Sequence, residues 1–127
     1  MSTRLVPPPP TEEDEQLIRS CVVHGMMLSM LKRDIDILRE IPLKMSDLYV
    51  RSLLLIQKET SDRLWAARRE LRIHGIRMLQ QTRTDGGIES SYKCRGYDRA
   101  LFIPWEELRR ESMNRLYRYS GSDLAAY

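Results

Sequence analysis

Long hydrophobic runs are missing from this chain. Its longest stretch without Asp, Glu, Lys or Arg, Ser20 to Leu31, holds 12 residues and includes Ser20, His24, Gly25 and Ser29. That is too short and too polar to cross a bilayer, which takes about 20 apolar residues. The first ten residues lack the charged-then-apolar order of a secretory signal. Cysteine is scarce as well: Cys21 and Cys94 are the only two, so no disulfide framework is expected and free thiols suit a reducing cytoplasm. No Gly-x-Ser-x-Gly elbow, Gly-rich phosphate loop or His-Glu-x-x-His occurs. The Glu-x-x-His unit of di-iron bundles is absent too. These gaps set aside a membrane span, a stapled secreted domain and the commonest hydrolase, nucleotide and zinc-protease sites.

What remains is a chain of 127 residues, 42% hydrophobic and 31% charged, the profile of one ordinary domain. Charge is unevenly spread. Residues 1–62 carry 8 Lys/Arg against 10 Asp/Glu; residues 63–127 carry 13 against 8, and 12 of those 13 cations are arginine. Arginine is the better fork for phosphate and carboxylate, so an anionic partner enters consideration beside a plain solvated surface.

Two long helices are predicted, Glu12 to Ile41 and Asp47 to about His74, joined by Pro42-Leu43-Lys44-Met45-Ser46. In the first, Cys21, His24, Leu28, Leu31, Ile35 and Leu38 recur at spacings of three and four; in the second, Leu53, Ile56, Thr60, Leu64, Ala67 and Leu71 do the same. Folded back on itself, the chain brings together residues whose numbers sum to about 88: Leu17 with Leu71, Cys21 with Ala67, His24 with Leu64, Leu28 with Thr60, Ile35 with Leu53. The ends carry stop signals. Thr11 is a suitable N-cap, followed by Glu12, Glu13, Asp14 and Glu15 at the positive end of the helix dipole. Pro42 ends the first helix, Ser46 is expected to cap the second behind a Met45–Val50 staple, and Gly75 suits a helix C-terminus.

Before the hairpin, residues 1–10 read as a disordered, Pro-rich leader, in which Arg4, Pro7 and Pro10 have the spacing of an SH3-type ligand. After it the period changes. Ile76 to Thr84 and Ile88 to Gly96 flank Asp85-Gly86-Gly87, a turn signal that predicts a β-hairpin at about 76–96. With all three as the loop, Ile76, Met78 and Gln80 share a face with Tyr92, Cys94 and Gly96. Arg77, Arg83, Lys93 and Arg95 take the other, with Arg83 opposite Glu89. A last helix from about Asp98 to Tyr119 carries Leu101, Trp105, Leu108, Ser112, Leu116 and Tyr119 inward. Asp98 would cap it, or Pro104 would open its regular part. Residues 121–127 fray.

The fold expected is mainly α: a long antiparallel helical hairpin, a β-hairpin and a C-terminal helix closing a three-helix bundle in one domain, 11–120. The first helix is apolar on several sides. Val22, Val23, Met26, Met27 and Met30 could therefore form a self-association surface, with core packing as the plainer use. Metal binding is disfavoured: Cys21 and His24 make a pair, but their opposite numbers Leu64 and Ala67 supply no ligand, and His74 faces residue 14, roughly 15 Å along the axis. Glu106, Glu107 and Glu111 sit within reach of Arg110 and Arg115, as surface ion pairs do. No catalytic, cofactor or metal residues are assigned, and a small enzyme or metal bundle ranks last. The ribbon's Arg77, Arg83, Lys93 and Arg95, with Arg68, Arg69 and Arg72 from the second helix, could touch nucleic acid as a wing does, weakly and with strong salt dependence.

The run Met27-Leu28-Ser29-Met30-Leu31-Lys32-Arg33-Asp34, and Tyr92-Lys93-Cys94-Arg95-Gly96-Tyr97 with Trp105 and Leu108 beyond, resemble small YhjD-like proteins of spore-forming Gram-positive bacteria over residues 15 to 120 or so. The resemblance implies a bacterial cytoplasm, which weakens the SH3 idea, and brings no site residues. The function expected is that of a non-enzymatic interaction or regulatory protein, self-associating or binding a protein partner, with nucleic-acid binding as the alternative. No membrane and no small-molecule substrate is inferred.

Overall fold

The computed structural model describes residues 6–121. Helix α1 (Glu12–Glu40) opens on a reciprocal cap: the Asp14 amide donates to Thr11 Oγ1 at 3.2 Å and the Thr11 amide to Asp14 Oδ2 at 2.9 Å. Asp14 thus takes the part that Glu plays in the usual capping box. Helix α2 (Ser46–Ile73) returns alongside it. Ser46 is not the expected N-cap. It is the first helical residue, behind Met45, and its hydroxyl donates to the Leu38 carbonyl at 2.5 Å, tying the two helices together. The predicted register holds where a polar pair marks it: His74 Nδ1 lies 3.4 Å from Asp14 Oδ1. Leu64, Ala67 and Leu71 bury against Ile18 and Cys21, and Thr60 is fully buried. Gly75 ends α2 with φ +70°.

The largest departure from expectation is a third strand. Strands β1 (Ile76–Arg83), β2 (Gly87–Cys94) and β3 (Tyr97–Pro104) form an antiparallel sheet in the order β1-β2-β3, so the chain is a mixed α/β fold and not a three-helix bundle with a ribbon. Cys94 pairs with Tyr97 around Arg95-Gly96, both at positive φ (50° and 92°), the two-residue connection that matches strand twist. Residues 98–104 therefore continue as strand. Asp98 caps nothing and sits 3.8 Å from Lys93 across the sheet. Leu101 and Ile103 turn inward while Phe102 is exposed, the period-two pattern of a strand. The Leu101–Trp105–Leu108 spacing that reads as helical straddles a strand-to-helix junction. Helix α3 (Trp105–Tyr119) starts only after Pro104, which stands at its N-cap.

The β1–β2 register also differs. Arg83 pairs with Ile88 and Thr82 with Glu89; a bulge at Leu79 then shifts the ladder, so that Met78 meets Tyr92, Arg77 meets Lys93 and Ile76 meets Cys94. A bulge adds one residue to one strand and exchanges the faces beyond it. Arg83 lies on the face of buried Ile88, Arg77 and Lys93 on the other, and Arg95 belongs to the turn. The four cations do not share a face.

The core has two parts. One joins Ile18, Cys21, Leu64 and Leu71 to Ile76, Tyr92 and Cys94. The other joins Val22, Val23 and Met27 to Ile88, Ile103 and Leu108. Val22, Val23 and Met27 are thus interior residues, 1%, 0% and 0% exposed. These three are no self-association surface, because β3 and α3 supply the cover that a two-stranded ribbon would have lacked; Met26 and Met30, the other two residues of that surface, stay partly exposed.

Candidate anion-binding groove

The polar residues outside the core fall into those already engaged and those that are not. His24 is engaged. Its Nδ1–H donates to the Ser20 carbonyl at 2.7 Å, which leaves Nε2 to accept from the Tyr119 hydroxyl at 2.7 Å; a carbonyl accepts only, so this tautomer follows. Burial holds its pKa below the ordinary value, with the cations Arg115 and Arg63 adding to the effect. Arg63 stacks on the Tyr119 ring at 4.4 Å, so the three helices meet there. His74 lies at the far end, beside Asp14 and Glu70; the two histidines are apart, as the register requires. Among the described residues no group of three or more His, Cys, Asp or Glu could hold a metal. Burial pushes the Cys21 thiol up to about 11 and raises Cys94 as well, so both favour the unreactive thiol form.

Arg95 is engaged too. Its guanidinium donates to the Pro8, Pro9 and His74 carbonyls at 2.8, 3.0 and 2.8 Å and to Asp14 Oδ2 at 2.7 Å. Tyr97 donates to the Pro7 carbonyl at 2.8 Å. The end of the Pro-rich leader is thereby pinned to the β2–β3 turn. Asp14 is 1% exposed, and the Arg95 hydrogen bond holds its carboxyl far below the usual carboxylate range. Arg19 is spent as well: it pairs with Glu107 and, at 2.8 Å, with Glu111. Those two glutamates face α1 and are not the surface partners of Arg110 and Arg115.

Among the described residues, a different set of arginines meets no carboxylate. Between the hairpin and the free edge of the sheet run two clefts of about 400 and 600 Å³ that share Gly25 and Gln81. Arg68 and Arg72 of α2 and Arg77 of β1 line the first; Arg33 of α1 and Arg83 of β1 line the second. No Asp or Glu lines either cleft, and none of the five arginines has an ion pair among the described residues. Leu64, Met78, Met26 and Met30 supply apolar walls. Arg83 lies over the Trp105 ring at 5.1 Å, and the Trp105 indole N–H is fixed on the Thr84 carbonyl at 2.8 Å. The two clefts adjoin at Gly25 and Gln81 and mix arginines with apolar side chains.

The structure thus brings together Arg68, Arg72, Arg77 and Arg83 from the seven candidate cations. Arg69 lies with Trp65 and Ile73 on the outer side of α2, a surface that Arg72 also borders, Lys93 leans toward Asp98, and Arg95 is locked. Sequence reasoning missed Arg33, Gly25 and Gln81. The row Cys21, Gly25, Ser29, Arg33 recurs every four residues, which marks one helix face of small side chains ending in a cation.

Fold and groove together define a small α/β protein with an arginine-lined cleft beside an edge strand. The sequence model of the YhjD protein family matches residues 9–124, and the chain belongs to that family. No curated protein and no solved structure matches it. Among the described residues no helix is long and apolar enough to cross a membrane.

Proposed function

We propose that this YhjD-family chain is a non-enzymatic binding protein that holds phosphate-rich polymers, nucleic acid foremost, in the groove between α1, α2 and β1, and that it works in the cytoplasm. One observation carries the reading: among the described residues five arginines line the groove and no carboxylate does. Like charges gathered in a concave site repel one another and focus the field, so an anion that enters relieves a strain the fold otherwise carries. Support for a non-enzymatic role comes from the engaged histidines and the two unreactive thiols. The test is a labelled mixed-sequence DNA titrated with the full chain at two ionic strengths. Measurable binding near 50 mM salt is expected, falling at least tenfold by about 200 mM as counterions compete. No binding at the lower salt overturns the proposal.

Self-association is a second reading, moved from the inner face of α1 to the hairpin tip. Ile37, Ile41, Leu43, Met45, Leu48 and Tyr49 are each 40–53% exposed there. Apolar side chains gathered on one end favour an interface. Light scattering of the purified chain is expected to give a mass above 15.0 kDa; a strict monomer at high concentration would rule this reading out.

A further inference from the structure

The groove's shape says more about its ligand than its charge does. A duplex presents its phosphates on a convex surface and keeps its bases stacked inside, so it would meet only the rim of a cleft walled by α1, α2 and the edge of β1. An unpaired strand is a ribbon with phosphates along one side and uncovered base faces on the other. This groove matches that division. Its lining sets the five arginines beside Met26, Met30 and Met78, whose polarizable thioethers pack well against aromatic rings. Trp105 lies at one end beneath Arg83. Midway, Gln81 brings an amide that can both donate and accept.

Gly25 makes the passage continuous. It sits inside α1, where glycine costs roughly 1 kcal/mol against alanine. A Cβ built there would meet nothing within 4 Å, so packing does not demand the small residue. It opens the point at which the two clefts join. From Cys21 to Arg33 the helix rises about 18 Å, length for a short run of an extended, unpaired strand.

We infer that the groove is a single-strand site, taking a short run of unpaired RNA or DNA with phosphates on Arg33, Arg68, Arg72, Arg77 and Arg83 and bases against Met26, Met30 and Met78. The inference rests on the polyanion reading above and narrows it. Fluorescein-labelled dT15 and rU15 are titrated with the full chain. A 15-base-pair duplex, inorganic polyphosphate and poly-glutamate serve as competitors, and every measurement is repeated with Gly25→Leu, whose fold is checked by its thermal melt. The expected result is single-strand affinity at least tenfold above that for the duplex. In a folded Gly25→Leu variant, whose side chain narrows the join between the clefts, this advantage falls at least fivefold. The ratio of rU15 to dT15 tells which polymer is the natural one. If duplex or polyphosphate competes as well as dT15, the single-strand inference falls and the polyanion reading survives. If poly-glutamate competes best, the site is for an acidic peptide and the inference falls. If nothing binds, both fall. An unchanged preference in a folded Gly25→Leu variant also overturns the inference, since the ligand would then lie elsewhere.

Discussion

Arg95 and the groove arginines put one side chain to opposite uses. Arg95 stands at a turn with φ 50°, and its donors reach three backbone carbonyls and the carboxylate of Asp14. Arg19 is likewise consumed between Glu107 and Glu111. Among the described residues Arg68, Arg72, Arg77, Arg33 and Arg83 have no such partners, yet they line two adjoining clefts. A guanidinium carries five donors, and a fold that satisfies them gains order at that point. One that leaves them unpaired side by side carries repulsion. Counting cations therefore measures net charge, while the hydrogen-bond inventory separates those that build the protein from those left to bind.

The largest effect on stability is expected at the engaged end. Asp14→Ala removes the carboxylate shared by Arg95, the Thr11 amide and the Cys94 thiol. A fully buried pair broken on one side costs roughly 3–5 kcal/mol. Arg95 keeps some contact with water, so a loss of about 2 kcal/mol is expected. The pH dependence has a fixed sign. The folded carboxyl titrates far below its ordinary value, so its contribution is complete above about pH 4, the unfolded value, and is lost as pH falls below that toward the folded one. Thermal melts at pH 7, 5 and 3 should show wild type and Asp14→Ala well separated at the first two and somewhat closer, still apart, at the third, where the folded carboxyl remains ionised. Affinity for polyanions should stay within twofold. Should affinity fall in a variant that melts normally, the Asp14–Arg95 cluster belongs to the binding surface and the division above is wrong.

The helical hairpin was legible because two independent stripes agreed on one register, and the Asp14–His74 approach is that register seen in atoms. The division among the arginines was not legible. Alternation counted through Lys93 and Arg95 put both on one ribbon face, but a turn residue at positive φ obeys no strand period. The bulge at Leu79 carried Arg83 across to the other face, and an inserted residue leaves no mark in a polar stretch such as Gln80-Gln81-Thr82. The third strand was hidden by Leu101, Trp105 and Leu108, which fall at helical spacing by accident of where β3 hands over to α3. Without β3 and α3 to cover Val22, Val23 and Met27, the exposed side of α1 looked apolar. With them in place it is the face of Gly25, Ser29 and Arg33 that lies open.

The smallest stability effect should come from the groove, and its sign is the sharpest test. Arg72→Gln removes one of five like charges from a site that no described carboxylate lines. Surface substitutions usually stay within about ±0.5 kcal/mol. Here the change should lie at the stabilising end, because what is removed is repulsion. At low salt, where screening is weakest, the variant should melt at or slightly above wild type, and the gap should close as salt rises. Binding should move the other way, weaker at low salt and with the slope of log affinity against log salt reduced by about 0.7–0.9. A melting temperature that drops by several degrees would mean that Arg72 makes a stabilising contact of its own, which would place it with Arg95 and Arg19. The opposed shifts in stability and affinity, both fading with salt, are what a side chain held for a partner must show, and a structural arginine cannot produce them together.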